Sequence, residues 1–237
     1  MPTKRTLLVT ALVALLVAAS GCSALSGGGG QGEEIAKQTN EAMQDVDSYT
    51  FDLSMTMTAQ QNDQSVDITA TGAIDVAEER MRMQMDFMGR STTQYIIGSS
   101  QYIELDGNWQ QRDVQQDIWN RQQLAQQRQI LDNASVSFEG NTTIDGTDVY
   151  ELSVDVDEDQ LMDVIQQQQG QDLRSQVDLK DVSYTMYVTH GDYHLKRIVA
   201  DMKMSAQGQT LNADMEMTFS NFNGDVSIEL PPEAENA

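Results

Sequence analysis

Two runs of strict alternation dominate the second half of the chain, Ile198 to Ala206 and Leu211 to Phe219. In the first, Ala200, Met202 and Met204 alternate with Asp201, Lys203 and Ser205; in the second, Ala213, Met215 and Met217 alternate with Asp214, Glu216 and Thr218. Successive side chains of a strand point to opposite faces, so each run gathers its apolar residues on one side. The link Gln207 to Thr210 is short and contains Gly208. This predicts an antiparallel hairpin, wet on one face and apolar on the other.

The same period recurs upstream. Tyr49, Phe51, Leu53, Met55 and Met57 alternate with polar residues, as do Val66, Ile68, Ala70, Gly72 and Ile74, and then Met81, Met83, Met85 and Phe87. Shorter strands are predicted at Tyr95 to Ile97 and Tyr102 to Leu105, separated by the turn signals Gly98-Ser99-Ser100 and Asp106-Gly107-Asn108. Together these five form an antiparallel meander. Strands resume at Ser135 to Thr143 and Val149 to Asp155 across Asp145-Gly146, and again from Val182 to Val188.

Three stretches depart from that period. Glu33 to Asp47 places Ile35, Ala36, Ala42, Met43 and Val46 at helical spacing, with Glu33 and Glu34 where a helix dipole favours anions. Val114 to Leu131, rich in Gln and Arg with a thin apolar stripe, predicts a mostly exposed helix lying over something. Glu158 to Gln169 predicts a second short helix and Gly170 to Lys180 a loop. The fold class is α+β, mainly antiparallel β, with about ten strands.

The N-terminus stands outside this pattern. Lys4 and Arg5 precede an apolar run from Leu7 to Ala19, too short for a comfortable membrane span, and Ala19-Ser20-Gly21-Cys22 follows. This order resembles a lipoprotein export signal, in which Cys22 is lipidated and becomes the mature N-terminus. Thr3 to Leu8 is similar to a Lys-Arg variant of the twin-arginine signal, so export by Tat or Sec is expected. The expected organisation is a signal over residues 1–21, a lipidated Cys and Gly-rich tether over 22–32, and one domain over 33–237. Cys22 is the lone cysteine, so stability rests on core burial without a disulfide.

Charge narrows the partners. The chain carries 37 acidic and 14 basic residues, a net charge of −23 that becomes −25 once Lys4 and Arg5 are removed. Self-repulsion on this scale is screened at molar salt, where the Debye length is about 3 Å. The surface resembles that of proteins from salt-loving archaea. No basic patch suited to phosphate appears, which excludes nucleic acid; Arg80, Arg82 and Arg90 alternate with Met and read as a solvated face.

The candidate chemistry lies in the Met set. Met55, Met57, Met81, Met83, Met85, Met186, Met202, Met204, Met215 and Met217 all occupy apolar strand positions. Met is flexible and polarizable, so such a surface fits either a filled core or a site that repacks around varied ligands. His190-Gly-Asp-Tyr-His194 reads as a turn without a third metal ligand, and Asp155 to Asp159 lacks the Gly and closing acid of a calcium loop. Asn133-Ala-Ser135 and Asn141-Thr-Thr143 are glycosylation acceptor patterns. No nucleophile elbow, phosphate-binding loop or Ser/His/Asp grouping is present, so neither catalysis nor a cofactor or metal is expected.

The lipoprotein signal, the N-terminal helix, the strand ending at Gly72, the Tyr95 to Trp109 segment, and above all the close Phe219-Ser-Asn-Phe222-Asn-Gly-Asp-Val226-Ser-Ile228-Glu-Leu230-Pro231 resemble the LolA/LolB and LppX/LprG superfamily. The resemblance covers nearly the whole mature chain at the level of pattern. It implies a strongly curved half-barrel with a few helices covering its open face, and a cavity that carries lipids or acylated proteins. The implied cavity residues are Phe51, Leu53, Met55, Met83, Met85, Met202, Met204, Met215 and Met217. The expectation is thus a lipoprotein of the cell membrane, anchored through Cys22 and facing outward, that binds a lipid, isoprenoid or acyl chain. The alternative is a cell-surface interaction or sensor domain with a packed core and no ligand.

Overall fold

Every long alternating run forms a strand. The computed structural model describes residues 28–61, 64–105, 107–114, 119, 123–159, 161–162, 177–206 and 209–235. Helix α1 (Gly28–Gln44) leads into β1 (Ser48–Ala59), β2 (Gln64–Asp75), β3 (Arg80–Phe87), β4 (Arg90–Ile97), β5 (Ser100–Leu105) and β6 (Asn108–Asp113). After helix α2 (Gln123–Leu131) come β7 (Ser135–Ile144), β8 (Thr147–Asp155), β9 (Val177–Thr189), β10 (Leu195–Ala206) and β11 (Gln209–Ser220).

All eleven strands belong to one sheet, ordered β6-β5-β4-β3-β2-β1-β11-β10-β9-β8-β7. Each pairing is antiparallel, and the sheet is built from two meanders joined where β1 meets β11. The sheet is not the curved half-barrel of about ten strands that the resemblance implies. Among the described residues β6 and β7 each pair with one neighbour, so the sheet is open, with two free edges, and does not curl closed. Alternation dictates which side chains share a face; closure depends on strand tilt and stagger, which alternation does not encode. The additional strand is β6, whose half-exposed Trp109 and exposed polar neighbours obey no period.

The core sits on one face at the end of the sheet where β1 begins. Tyr49, Phe51, Ile74, Leu152, Met186, Val188, Ile198 and Phe219 are buried there with Ile35 and Met43 of α1 and Leu124, Ile130 and Leu131 of α2. Burying each large apolar side chain is worth about 1.5–3 kcal/mol. The closing segment fastens the same end: Asn223 N donates to Ser48 O at 2.8 Å, Ser48 Oγ to Gly224 O at 2.8 Å, and Asp47 N to Asn223 Oδ1 at 2.7 Å. Arg80 Nη1 donates to Ile228 O at 2.9 Å, so this arginine ties down the chain's exit.

Helix α1 differs from its predicted bounds. It begins at Gly28, within the stretch assigned to the tether, which moves Glu33 and Glu34 out of its first turn. Gly32 explains why a helix tolerates glycine there: a Cβ at Gly32 would lie 2.4 Å from Val136 O, so α1 packs directly on the β7 backbone. Glycine costs a helix about 1 kcal/mol relative to Ala, and the close contact requires it. The described part of the helix predicted over Val114 to Leu131 is α2 with Val114 and Trp119, and α2 is not mostly exposed, since Leu124, Gln127, Ile130 and Leu131 are buried. Leu161 and Met162 of the helix predicted over Glu158 to Gln169 are buried, and β9 starts at Val177, inside the predicted loop. Residues 163–176, Cys22 and the signal lie outside the described residues.

Candidate functional site

Strand register assembles the Met face row by row. Phe51 stands opposite Phe219 and Gly72, Leu53 opposite Met217 and Ala70, and Met55 opposite Met215 and Ile68. Met202 faces Ala213, Met204 faces Leu211, Met83 faces Gly72 and Met85 faces Ala70. Directly paired residues share a face, so all nine predicted cavity residues lie on one side of the sheet, on β1, β3, β10 and β11, with β2 between β1 and β3.

Their burial is graded. Phe51 and Met217 are buried; Leu53, Met55, Met83, Met202, Met204 and Met215 are half-buried; Met85 is 37% exposed. The apolar face therefore has a sealed end near Tyr49 and Phe219 and an open end toward the β1–β2 and β10–β11 hairpins. Exposure rises further at the β3 rim, where Phe87 is 43% and Met88 71% exposed. Met88 has φ 52° and is followed by Gly89 at φ 75°, a tight turn whose first position normally favours Asn, Asp or Gly. Two concavities of the described residues lie elsewhere. One, of about 330 Å³, is lined by Asp157, Glu158, Asp159, Met162, Val177, Asp178 and Leu179. The other, of about 360 Å³, separates α1 from α2 and the start of β7.

A strap of polar bonds runs over the apolar face from the sealed end to Tyr184, whose partner Ala200 stands opposite Met215. Trp119 Nε1 donates to Gly98 O at 3.1 Å, Tyr49 bonds with the Leu124 backbone, and the Tyr184 hydroxyl donates to Gln127 Oε1. Arg128 Nε donates to Asn40 Oδ1 at 2.9 Å, and Asn40 Nδ2 to Asp132 Oδ1 at 2.5 Å, joining α2 to α1. Burial pushes the Tyr49 and Tyr184 phenols well above their ordinary value, with the Leu124 backbone and Gln127 bonds acting the other way. Sequence reading missed Tyr49, Gln127 and Tyr184 as a fastening, because Gln127 sits in a Gln-rich run with nothing to mark it as buried.

The remaining candidates separate. His190 lies tilted against Tyr150 at 4.0 Å between ring centroids, and its Nε2 lies 3.1 Å from Asn141 Oδ1; His194 stacks on Phe222 at 4.5 Å. The two histidines thus have separate partners, and the described residues contain no metal-holding group of three or more His, Cys, Asp or Glu. Asp157 Oδ1 accepts from Asp159 N at 3.0 Å, in keeping with a helix start. Asn133 is exposed after α2 and Asn141 is exposed on β7.

Residues 31–237 match the model of a family described as a family of unknown function (DUF6612). The chain belongs to DUF6612. No curated protein matches its sequence. Among solved structures, this DUF6612 protein is similar to the Mycobacterium tuberculosis lipoprotein LppX, with a TM-score of 0.54 and 13% identity over 83% of this chain and 97% of that one. It is similar to LprF from Mycobacterium bovis, with a TM-score of 0.50 and 17% identity over 84% of this chain and 96% of that one. At these identities the likeness concerns the fold, and it agrees with the superfamily-level resemblance of the sequence. Among the described residues no helix is long and apolar enough to cross a membrane.

Proposed function

We propose that this DUF6612 protein is an exported, lipid-anchored, non-enzymatic protein whose Met-rich face binds the apolar part of a lipid, isoprenoid or acyl chain. The observation that carries the reading is the graded face itself: half-buried Met55, Met83, Met202, Met204 and Met215 continue a sealed core into an open apolar slope. Unbranched thioether side chains repack around differing shapes. About ten methylenes laid against them would contribute about 8 kcal/mol before the costs of association. One solved relative of the fold, LppX, carries the description lipoprotein.

Topology supports an orientation. The C-terminal end of α1 leads to Ser48 at the sealed end, whereas Gly32 abuts Val136 near the start of β7. Ser135 pairs with Asp155, and Ser153 with Thr185, so the start of β7 lies level with the middle of β9 and with the Met rows. Helix α1 therefore points its N-terminus toward the open end. The six-residue step from Cys22 to Gly28 reaches at most about 20 Å. A lipid on Cys22 would turn the open Met face toward the membrane, where an apolar ligand enters and leaves.

The test is mass spectrometry of what co-purifies with the mature domain, lacking its anchor Cys, from its native host at molar salt. A stoichiometric lipid, lost in Met204→Asp and Met215→Asp, is the expected result; equal retention by folded variants refutes the assignment. A second reading, a docking face for a protein partner, is favoured by the exposure of Met85, Phe87, Met88 and Leu105. An apolar fluorescent probe separates the two: the lipid site takes it up at one per chain, while a flat docking face binds little.

A further inference from the structure

We infer that Asn141, and not Asn133, carries an N-linked glycan whose first sugar rests on a cluster of rings beside it. The two acceptor patterns share the triplet chemistry but not their surroundings. Asn133 Nδ2 is already committed, donating to Gln129 O at 2.8 Å at the end of α2. At Asn141 the bond falls on the other atom: Oδ1 lies 3.1 Å from His190 Nε2, and Nδ2 has no hydrogen-bond partner among the described residues.

The backbone is suited to a transferring enzyme. Asn141, Thr142 and Thr143 are exposed and extended on β7, and among the described residues the outer side of β7 pairs with no strand. A register shift between Phe138 and Gly140 bulges the strand just before Asn141. The bend interrupts the long pairing that a whole second strand would need, while the short extended stretch after it, Asn141 to Thr143, is enough for an enzyme to grip.

The rings then give the sugar a seat. Asn141 stands directly opposite Tyr150, so the two side chains share a face about 5 Å apart. Tyr150 lies tilted against His190 at 4.0 Å between ring centroids, meets Phe138 edge-on at 6.1 Å and stacks with Tyr193 at 6.0 Å. Phe138, Tyr150 and Tyr193 are half-buried against the core and His190 is exposed, so part of this ring cluster faces water. The C–H face of a pyranose packs on the electron-rich face of such rings. In the transfer, Asn141 Nδ2 attacks C1 of a lipid-linked sugar phosphate: the N–C1 bond forms, the C1–O bond to phosphate breaks, and one amide proton passes to a base of the transferase.

The inference rests on the export part of the proposed function and is independent of lipid binding. Native full-length protein from its own host is digested and its Asn133 and Asn141 peptides are weighed with the N-terminal one. Sugar mass on the Asn141 peptide, abolished by Asn141→Gln and by Thr143→Ala and kept in Asn133→Gln, is expected. An unmodified Asn141, or a glycan on Asn133, overturns the site. An uncut N-terminus would sink export itself, and the same spectrum distinguishes that failure. For the ring seat, protein made in a host lacking the transferase, which keeps Asn141 and its His190 bond, is expected to melt about 2–4 °C below the glycosylated protein in the wild-type background and no lower in Tyr150→Ala. Equal losses in both backgrounds overturn the seat.

Discussion

Replacing Gly72 by Ala tests how the sealed end of the face is built. Gly72 pairs with Phe51, and a Cβ there would stand 2.2 Å from Phe51 Cε1 and 2.4 Å from Cζ. No real Cβ makes such contacts, and the ring has nowhere to go: Phe51 is 2% exposed, with Phe219 opposite on its other side. Overpacking of this kind costs about 1–3 kcal/mol, offset by about 0.5–1 kcal/mol gained by removing a glycine from a strand. The expected net loss is about 1–2 kcal/mol, read as a lower urea midpoint at unchanged m. Phe51→Leu removes the ring atoms that clash. In that background Gly72→Ala should be neutral or stabilising, a coupling of at least about 1 kcal/mol. If Gly72→Ala is as stable as wild type, or the two changes add, the ring does not rest on Gly72 and the account of the sealed end fails.

Alkaline pH should weaken the fold through Tyr49 and Tyr184. Burial raises both phenols above about 10, so the folded chain keeps protons that the unfolded chain releases; stability is complete below that pH and falls above it. Above pH 10 each of these two buried tyrosines adds a slope approaching about 1.4 kcal/mol per pH unit, and Tyr184→Phe should remove its share in melts between pH 10 and 11.5. At neutral pH the same variant orphans the buried Gln127 and should cost about 1–3 kcal/mol. Raising salt from about 0.1 M to the molar range should raise Tm, because a chain of net charge −23 repels itself less as the Debye length shortens. Met88→Asn should stabilise by about 1 kcal/mol in chemical denaturation, since φ 52° disfavours Met and suits Asn; a loss of stability would mean that the exposed Met88 makes a contact of its own.

The sequence made the strands legible where one face is dry. Met55, Met202 and Met215 alternate with charged or polar residues because water and core impose opposite demands on the two sides. Where both sides are wet the signal fades: β4 begins at Arg90, five residues before its first predicted residue, and β6 gave no period at all. Helix α1 began early because the reason for Gly32 lies in the Val136 backbone, over 100 residues away. The membership of the Met face was readable from period two alone. Its openness was not, because neither the end of the sheet nor the positions of Tyr184 and Gln127 are written in local pattern.

The two free margins of the sheet take on another meaning if the protein is tethered. Copies held by lipid on one membrane share a plane, and confinement raises their effective concentration far above that of a free protein. Unpaired backbone at β6 and β7 would then be an invitation to polymerise strand to strand. Each margin carries its own deterrent: Arg112 and Asp113 are exposed on β6, and β7 is bent out of true between Phe138 and Gly140, with Glu139 exposed at the bend. A sheet that stays open among crowded neighbours must defend its ends residue by residue, which a closed barrel never has to do.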